Sequence, residues 1–180
     1  MGILSIILLV IAAVIVFTLI AAGASSPEYV VTQEIVINKP KQTVFNYIKY
    51  SLNQNNYNKW WMMDPKARKE YAGTDGTPGF VMKWDSDNKQ SGKGEQEITG
   101  ITEGTRVDYE IRFIKPFQGT SPSYQETIAI SPAQTKVVWV FKGDRNFAMR
   151  IFHLLFNLKK MLGRDLQTSL VNLKTILEQQ

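Results

Sequence analysis

Hydrophobic positions change period three times along this chain. From Gly2 to Ala22 they are unbroken: GILSIILLVIAAVIVFTLIAA carries no charge, and only Ser5 and Thr18 interrupt it. At about 1.5 Å per residue such a helix crosses the roughly 30 Å hydrocarbon core of a bilayer. Its backbone polar groups are satisfied internally, so lipid tolerates it. The expectation is one membrane-spanning anchor over residues 1–24, entering the bilayer through residues 2–22. A cleaved signal peptide is the competing reading, because Ala22-Gly23-Ala24 fits a small-residue cleavage site. Against it, the apolar run exceeds the usual ~7–15 residues and no Lys or Arg precedes it.

Residues 25–28 read as a linker ending after Pro27, and residues 29–180 as one domain. There the period falls to two. Tyr29 to Ile37 (YVVTQEIVI) is rich in β-branched residues and reads as a strand. Asn38 and Pro40 suit the opening of a helix whose stripe is Val44, Phe45 and Ile48. Leu52 to Asp64 (LNQNNYNKWWMMD) is too irregular for a strand and reads as a short helix or turn ended before Pro65. Six further strands follow: 69–72, 80–85, 94–102, 106–117, 123–130 and 136–142. The fourth alternates most clearly, with Val107, Tyr109, Ile111 and Phe113 on one face and Asp108, Glu110 and Arg112 on the other. One buried and one solvated face is the signature of antiparallel sheet.

The period then changes to helical. A long helix is expected from about Phe147 to Glu178, with Leu166, Leu170, Leu173 and Leu177 as one stripe and Gly163 as a kink or break. Residues 149–164 (MRIFHLLFNLKKMLGR) carry excess apolar surface beside Lys159, Lys160 and Arg164. That combination also suits an interfacial helix or a cavity lid. The whole order predicts an α+β fold, a curved antiparallel sheet of six to seven strands wrapped round a C-terminal helix. Such an arrangement leaves room for a cavity between sheet and helix.

Composition narrows the function classes. All 21 Lys and Arg and all 16 Asp and Glu follow residue 24, so the domain carries the net charge of +5. The basic residues are scattered rather than set in a stripe, which argues against a nucleic-acid partner. There is no cysteine and one histidine, His153, so no zinc-type donor set is available and no cofactor is expected.

The strings INKPKQTVFNYI, NKWWMMDP, GKGEQEITG, VDYEIRFIKPF and LVNLKTILE, in this order of elements, resemble the START-like or SRPBCC superfamily of helix-grip proteins. In particular they are similar to bacterial membrane-anchored members of polyketide cyclase type. The resemblance covers residues 29–180. It implies a helix-grip fold, a hydrophobic cavity and a bacterial plasma membrane location, with the side of the membrane unassigned. Members bind lipids, sterols, polyketides or hormones, and a minority are cyclases, dehydrases or hydroxylases. No family catalytic signature transfers residue by residue.

Two kinds of residue are therefore candidates. Aromatic groups expected on inner faces are Trp60, Trp61, Trp84, Tyr109, Phe113, Tyr124, Trp139, Phe152 and Phe156, which suit an apolar pocket with a few donors. Among acidic groups, Glu95 and Glu97 share a face with Thr99 and are expected outside, whereas Glu126 shares a face with Tyr124 and Ile128 and is expected inside. Three functions follow: binding of a hydrophobic small molecule or lipid without chemistry, a cyclase or dehydratase using Glu126, Tyr124 or Tyr109 as acid–base groups, or a surface interaction module whose cavity is filled.

Overall fold

A computed structural model of the chain describes residues 2–88, 91–116, 118–144, 147, 149–151 and 157–179. Helix α1 (Ile3–Ala24) is long and apolar enough to cross a membrane, and its apolar side chains are exposed. A signal sequence passes the same test of length and composition. Only Ser25, Ser26 and Pro27 separate α1 from strand β1 (Glu28–Ile37).

The apolar stripe after β1 forms helix α2 (Lys41–Ile48), which buries Val44, Phe45 and Ile48. Asn38 does not cap it. Pro40 occupies that position, and Asn38 instead accepts a hydrogen bond from Gln134 and receives Glu178 at its backbone N–H. The irregular segment resolves into three short turns: a 3₁₀ turn at Ser51–Asn53, then α3 (Gln54–Tyr57) and α4 (Lys59–Met62). The Asn58 side chain caps α4 by accepting from the Trp60 N–H.

Six more strands complete the sheet: β2 (Arg68–Ala72), β3 (Val81–Asp85), β4 (Lys93–Thr102), β5 (Arg106–Lys115), β6 (Gly119–Ser131) and β7 (Gln134–Asp144). Their order is β1-β7-β6-β5-β4-β3-β2, every pairing antiparallel. The α+β helix-grip architecture expected from the sequence is what the coordinates show.

Helix α5 (Leu158–Gln179) lies on the inner face against β1. Leu166, Leu170, Leu173 and Leu177 are all buried in one core cluster with Ile37, Val44, Phe45 and Val137. The expected break at Gly163 does not occur. Helix α5 continues unbroken through it, with the glycine buried against β1; the expected helix is interrupted instead at Asn157, whose φ of 45° is not helical, so α5 begins at Leu158 rather than Phe147. A Cβ there would stand 3.0 Å from Gln33 Nε2, so the missing side chain permits the close crossing.

On the outer face Arg112 reaches three carboxylates, Glu95, Glu97 and Glu110, at 2.5–2.7 Å. Glu95 and Glu97 thus lie outside, as their parity with Thr99 implies.

Candidate functional site

Sheet and helix do not close on each other everywhere. A hollow of about 460 Å³ lies between strands β3–β7, the α3–α4 segment and the first turns of α5. Its volume falls in the ordinary range of ligand sites, about 300–1,000 Å³. The sheet supplies Trp84, Gln96, Ile111, Phe113, Ser123, Trp139 and Phe141. The opposite wall is Asn58 to Trp61, with Met161, Leu162 and Asp165 of α5.

The walls are rings in contact. Trp61 meets Trp84 edge-on at 5.4 Å between centroids, Trp84 meets Phe113 at 6.2 Å, and Phe113 meets Phe141 at 6.5 Å. The first two pairs are edge-to-face, a geometry that stabilises ring orientation beyond simple burial, and the third is tilted. Trp84 is fixed twice more. Its Nε1 donates to the Ser91 carbonyl at 3.0 Å, and its six-membered ring lies over Gly94. A Cβ on Gly94 would come within 2.6 Å of both that ring and the Arg112 carbonyl oxygen. All four tryptophans of the chain, Trp60, Trp61, Trp84 and Trp139, line the hollow.

Polar groups are few and sort by depth. At the rim Lys59 pairs with Asp165, and Asp64 accepts from Ser86 Oγ at 2.5 Å, which holds its carboxyl below the usual aspartate range. Lys69 donates to Asn55 Oδ1 and to the Trp61 carbonyl, and its ammonium stands 5.6 Å from the Trp61 ring centre. Burial pulls its pKa down, and Asp64 partly opposes that shift. Deeper in, Ser123 is satisfied: its hydroxyl donates to the Val140 carbonyl and accepts from Trp139 Nε1. Gln96 is not. Its side chain is buried, lines the hollow, and its Nε2 has no hydrogen-bond partner among the described residues.

Behind the Trp139 wall lies a second set of buried polar groups. Tyr57 donates to Gln125 Oε1 at 3.0 Å and packs edge-on against Trp139. Tyr109 donates to the Ile48 carbonyl at 3.3 Å. Burial raises both phenol pKa values well above their ordinary range.

Of the residues singled out in the sequence, Trp60, Trp61, Trp84, Phe113 and Trp139 line one hollow. Tyr109 does not; it is core, held behind the wall. Tyr124 and Glu126 face the opposite way. On β6 the inner positions are Ser121, Ser123, Gln125 and Thr127, and Tyr124 stacks outside under the Arg106 guanidinium at 3.7 Å. Hydrophobic parity misled there because this strand turns its small polar side chains inward. Phe152, Phe156 and His153 lie outside the described residues, as does the 152–156 part of the expected lid segment. Among the described residues no Glu or Tyr lines the hollow, so the acid–base groups assigned to a cyclase reading are not where that reading needs them. Gln96, Lys69, Asp64, Lys59 and Asp165 were missed. Gln96 alone had a signal, since it alternates with the outward Glu95 and Glu97.

A family model described as "Polyketide cyclase / dehydrase and lipid transport" matches residues 29–178. The sequence has no significant match among curated proteins. Among solved structures, a truncated norcoclaurine synthase from Thalictrum flavum is 8% identical with a TM-score of 0.62, the match covering 86% of this chain and 96% of that one. Protein MLL2253 from Mesorhizobium loti is 12% identical, TM-score 0.61, with 84% and 98% covered. The Zhui aromatase/cyclase from Streptomyces sp. R1128 is 12% identical, TM-score 0.60, with 84% and 94% covered. At these identities the likeness establishes the fold.

Proposed function

We propose a binding function from one premise: the chain belongs to the polyketide cyclase / dehydrase and lipid transport family. The proposed cargo is a hydrophobic small molecule or lipid, held between sheet and helix without covalent chemistry. The observation that carries this reading is the ring-lined hollow of about 460 Å³, whose lining is largely apolar and whose two carboxylates among the described residues, Asp64 and Asp165, are already engaged by Ser86 and Lys59. Ionisable groups stand only at its rim, engaged with neighbours. An unfilled hollow of this size also speaks against a purely surface-acting module.

The domain is proposed to work tethered to a membrane. Two features support that. Three linker residues reach about 10 Å at most, so a membrane-embedded α1 keeps the domain at the bilayer surface. A separate groove along Val31–Gln33 and the start of α5 also carries Lys159, Lys160 and Arg164, which suit an anionic lipid surface. Membrane fractionation with N-terminal sequencing checks the tether: a mature chain beginning after Ala24 overturns it.

Native mass spectrometry of the full chain, extracted in mild detergent, tests the binding itself. An apolar molecule is expected to travel with the protein, and Ile111→Trp, which fills the hollow, is expected to lose it. A chain that emerges bare and also fails to bind 1-anilinonaphthalene-8-sulfonate, an anionic dye with an apolar ring end, overturns the reading.

A further inference from the structure

The Gln96 side chain is an expensive thing to leave in an apolar wall. Only 5% of the residue is exposed, its strand neighbours in register are Met82 and Ile111, and its Nε2 is unpartnered. A buried donor without an acceptor costs the full desolvation of that group. The cost is avoidable, because a leucine or methionine would fit the same inner face. The other polar groups near the hollow show what a satisfied one looks like: Ser123, Trp139 Nε1 and Trp84 Nε1 all have partners. Three other buried side-chain atoms, Ser51 Oγ, Gln54 Nε2 and Gln125 Nε2, also lack a partner among the described residues, but of these four residues only Gln96 lines the hollow.

We propose that Gln96 is the specificity-determining donor of the hollow. It reads a hydrogen-bond acceptor oxygen, such as a ketone or ester carbonyl, at the buried end of an otherwise apolar and uncharged ligand. The reading rests on the binding function above and narrows its cargo. A charged end is disfavoured, because the ionisable groups that line the hollow among the described residues, Lys59, Asp64, Lys69 and Asp165, are each already engaged with a neighbour. Any charged or strongly polar end of the ligand belongs at the rim, beside Lys59, Asp64, Lys69 and Asp165.

Two rigid tricyclic probes of nearly equal size separate the donor from the cavity: 9-fluorenone, which has a carbonyl, and fluorene, which lacks it. The full chain in phosphatidylcholine nanodiscs is dialysed to equilibrium against empty nanodiscs, so partitioning into lipid cancels. The wild-type chain is expected to prefer fluorenone by about tenfold. In Gln96→Leu that preference is expected to fall to near unity. The infrared carbonyl stretch of fluorenone bound to the wild-type chain, which needs no variant, is expected to move to lower wavenumber. Equal binding of the two probes by wild type, or an unshifted carbonyl stretch, overturns the role of Gln96 and leaves the binding function standing. Failure of both probes to bind overturns the hollow as a ligand site, and the role of Gln96 with it.

Discussion

Helix α5 meets the sheet in two ways along its length. Over its last three turns, Leu166, Leu170, Leu173 and Leu177 are 0–1% exposed and fill the space above the sheet. That half is also bolted down. Ser169 Oγ accepts from the Lys59 N–H, Asn172 donates to the Tyr57 carbonyl, Lys174 donates to the Val36 carbonyl, and Glu178 accepts from the Asn38 N–H, all at 2.7–3.1 Å. Over the first turns Leu162 and Asp165 border the hollow, with the exposed Met161 at its edge, the sheet opposite presents rings, and the space between stays open. There the Lys59–Asp165 ion pair is the tie to α4. One helix on one sheet thus builds a packed core at one end and a chamber at the other. Stability and the proposed binding site are separated along its axis, and the packed half supports the hollow that the open half leaves.

The sharpest way to break this comparison is to cut each half in turn. Leu170→Ala is expected to cost about 2–5 kcal/mol in urea unfolding, because the packed end cannot collapse into the void. Met161→Ala is expected to cost under about 1 kcal/mol, since its side chain borders space that is already empty. Equal losses at the two positions would end the distinction.

A second test falls on the boundary. Tyr57→Phe leaves Gln125 without its partner and is expected to cost about 1–3 kcal/mol. It also changes the alkaline limb of stability. Burial raises the Tyr57 and Tyr109 pKa values in the native state, while the unfolded chain releases those protons from about pH 10. The native state then binds more protons, so stability is complete below about pH 10 and falls as pH rises above it. Far-UV circular dichroism against pH is expected to show a shallower alkaline loss in Tyr57→Phe than in wild type.

The smallest effect is expected on the outer face. Arg112→Gln leaves three carboxylates close together on β4 and β5, with a loss of about 1 kcal/mol that shrinks as salt is added. Because that cluster points away from the hollow, uptake of 1-anilinonaphthalene-8-sulfonate is expected to stay at the wild-type level. A large fall would mean that the two faces of the sheet are coupled.

How much of this could be read before the coordinates depends on what period reports. Alternation in β5 and the leucine spacing of α5 are direct records of burial: the first placed its strand well, and the second found α5 but not its start, which is Leu158 rather than Phe147 because Asn157 leaves the helical region with φ 45°. The tryptophans that line the chamber were legible as large rings on inner faces. The chamber itself was not, because a residue beside a void and a residue in a packed core show the same pattern. On β6 the rule reversed. It buries Ser123, which finds partners in Val140 and Trp139, and Gln125, whose Oε1 accepts from Tyr57, and turns Tyr124 outward, where its ring is covered by Arg106 instead of by the core. The rim residues Lys69 and Asp64 come from loop and edge positions, where no period exists to betray them.

Gly94 sets a limit on how this chamber can evolve. A side chain there would strike both the Trp84 ring and the backbone of the neighbouring strand, so the ring wall has no small step open to it at that point. If the proposed cargo changed, the facing side would be the freer place to adapt, because Met161 and Leu162 line the hollow from the helix and not from the sheet.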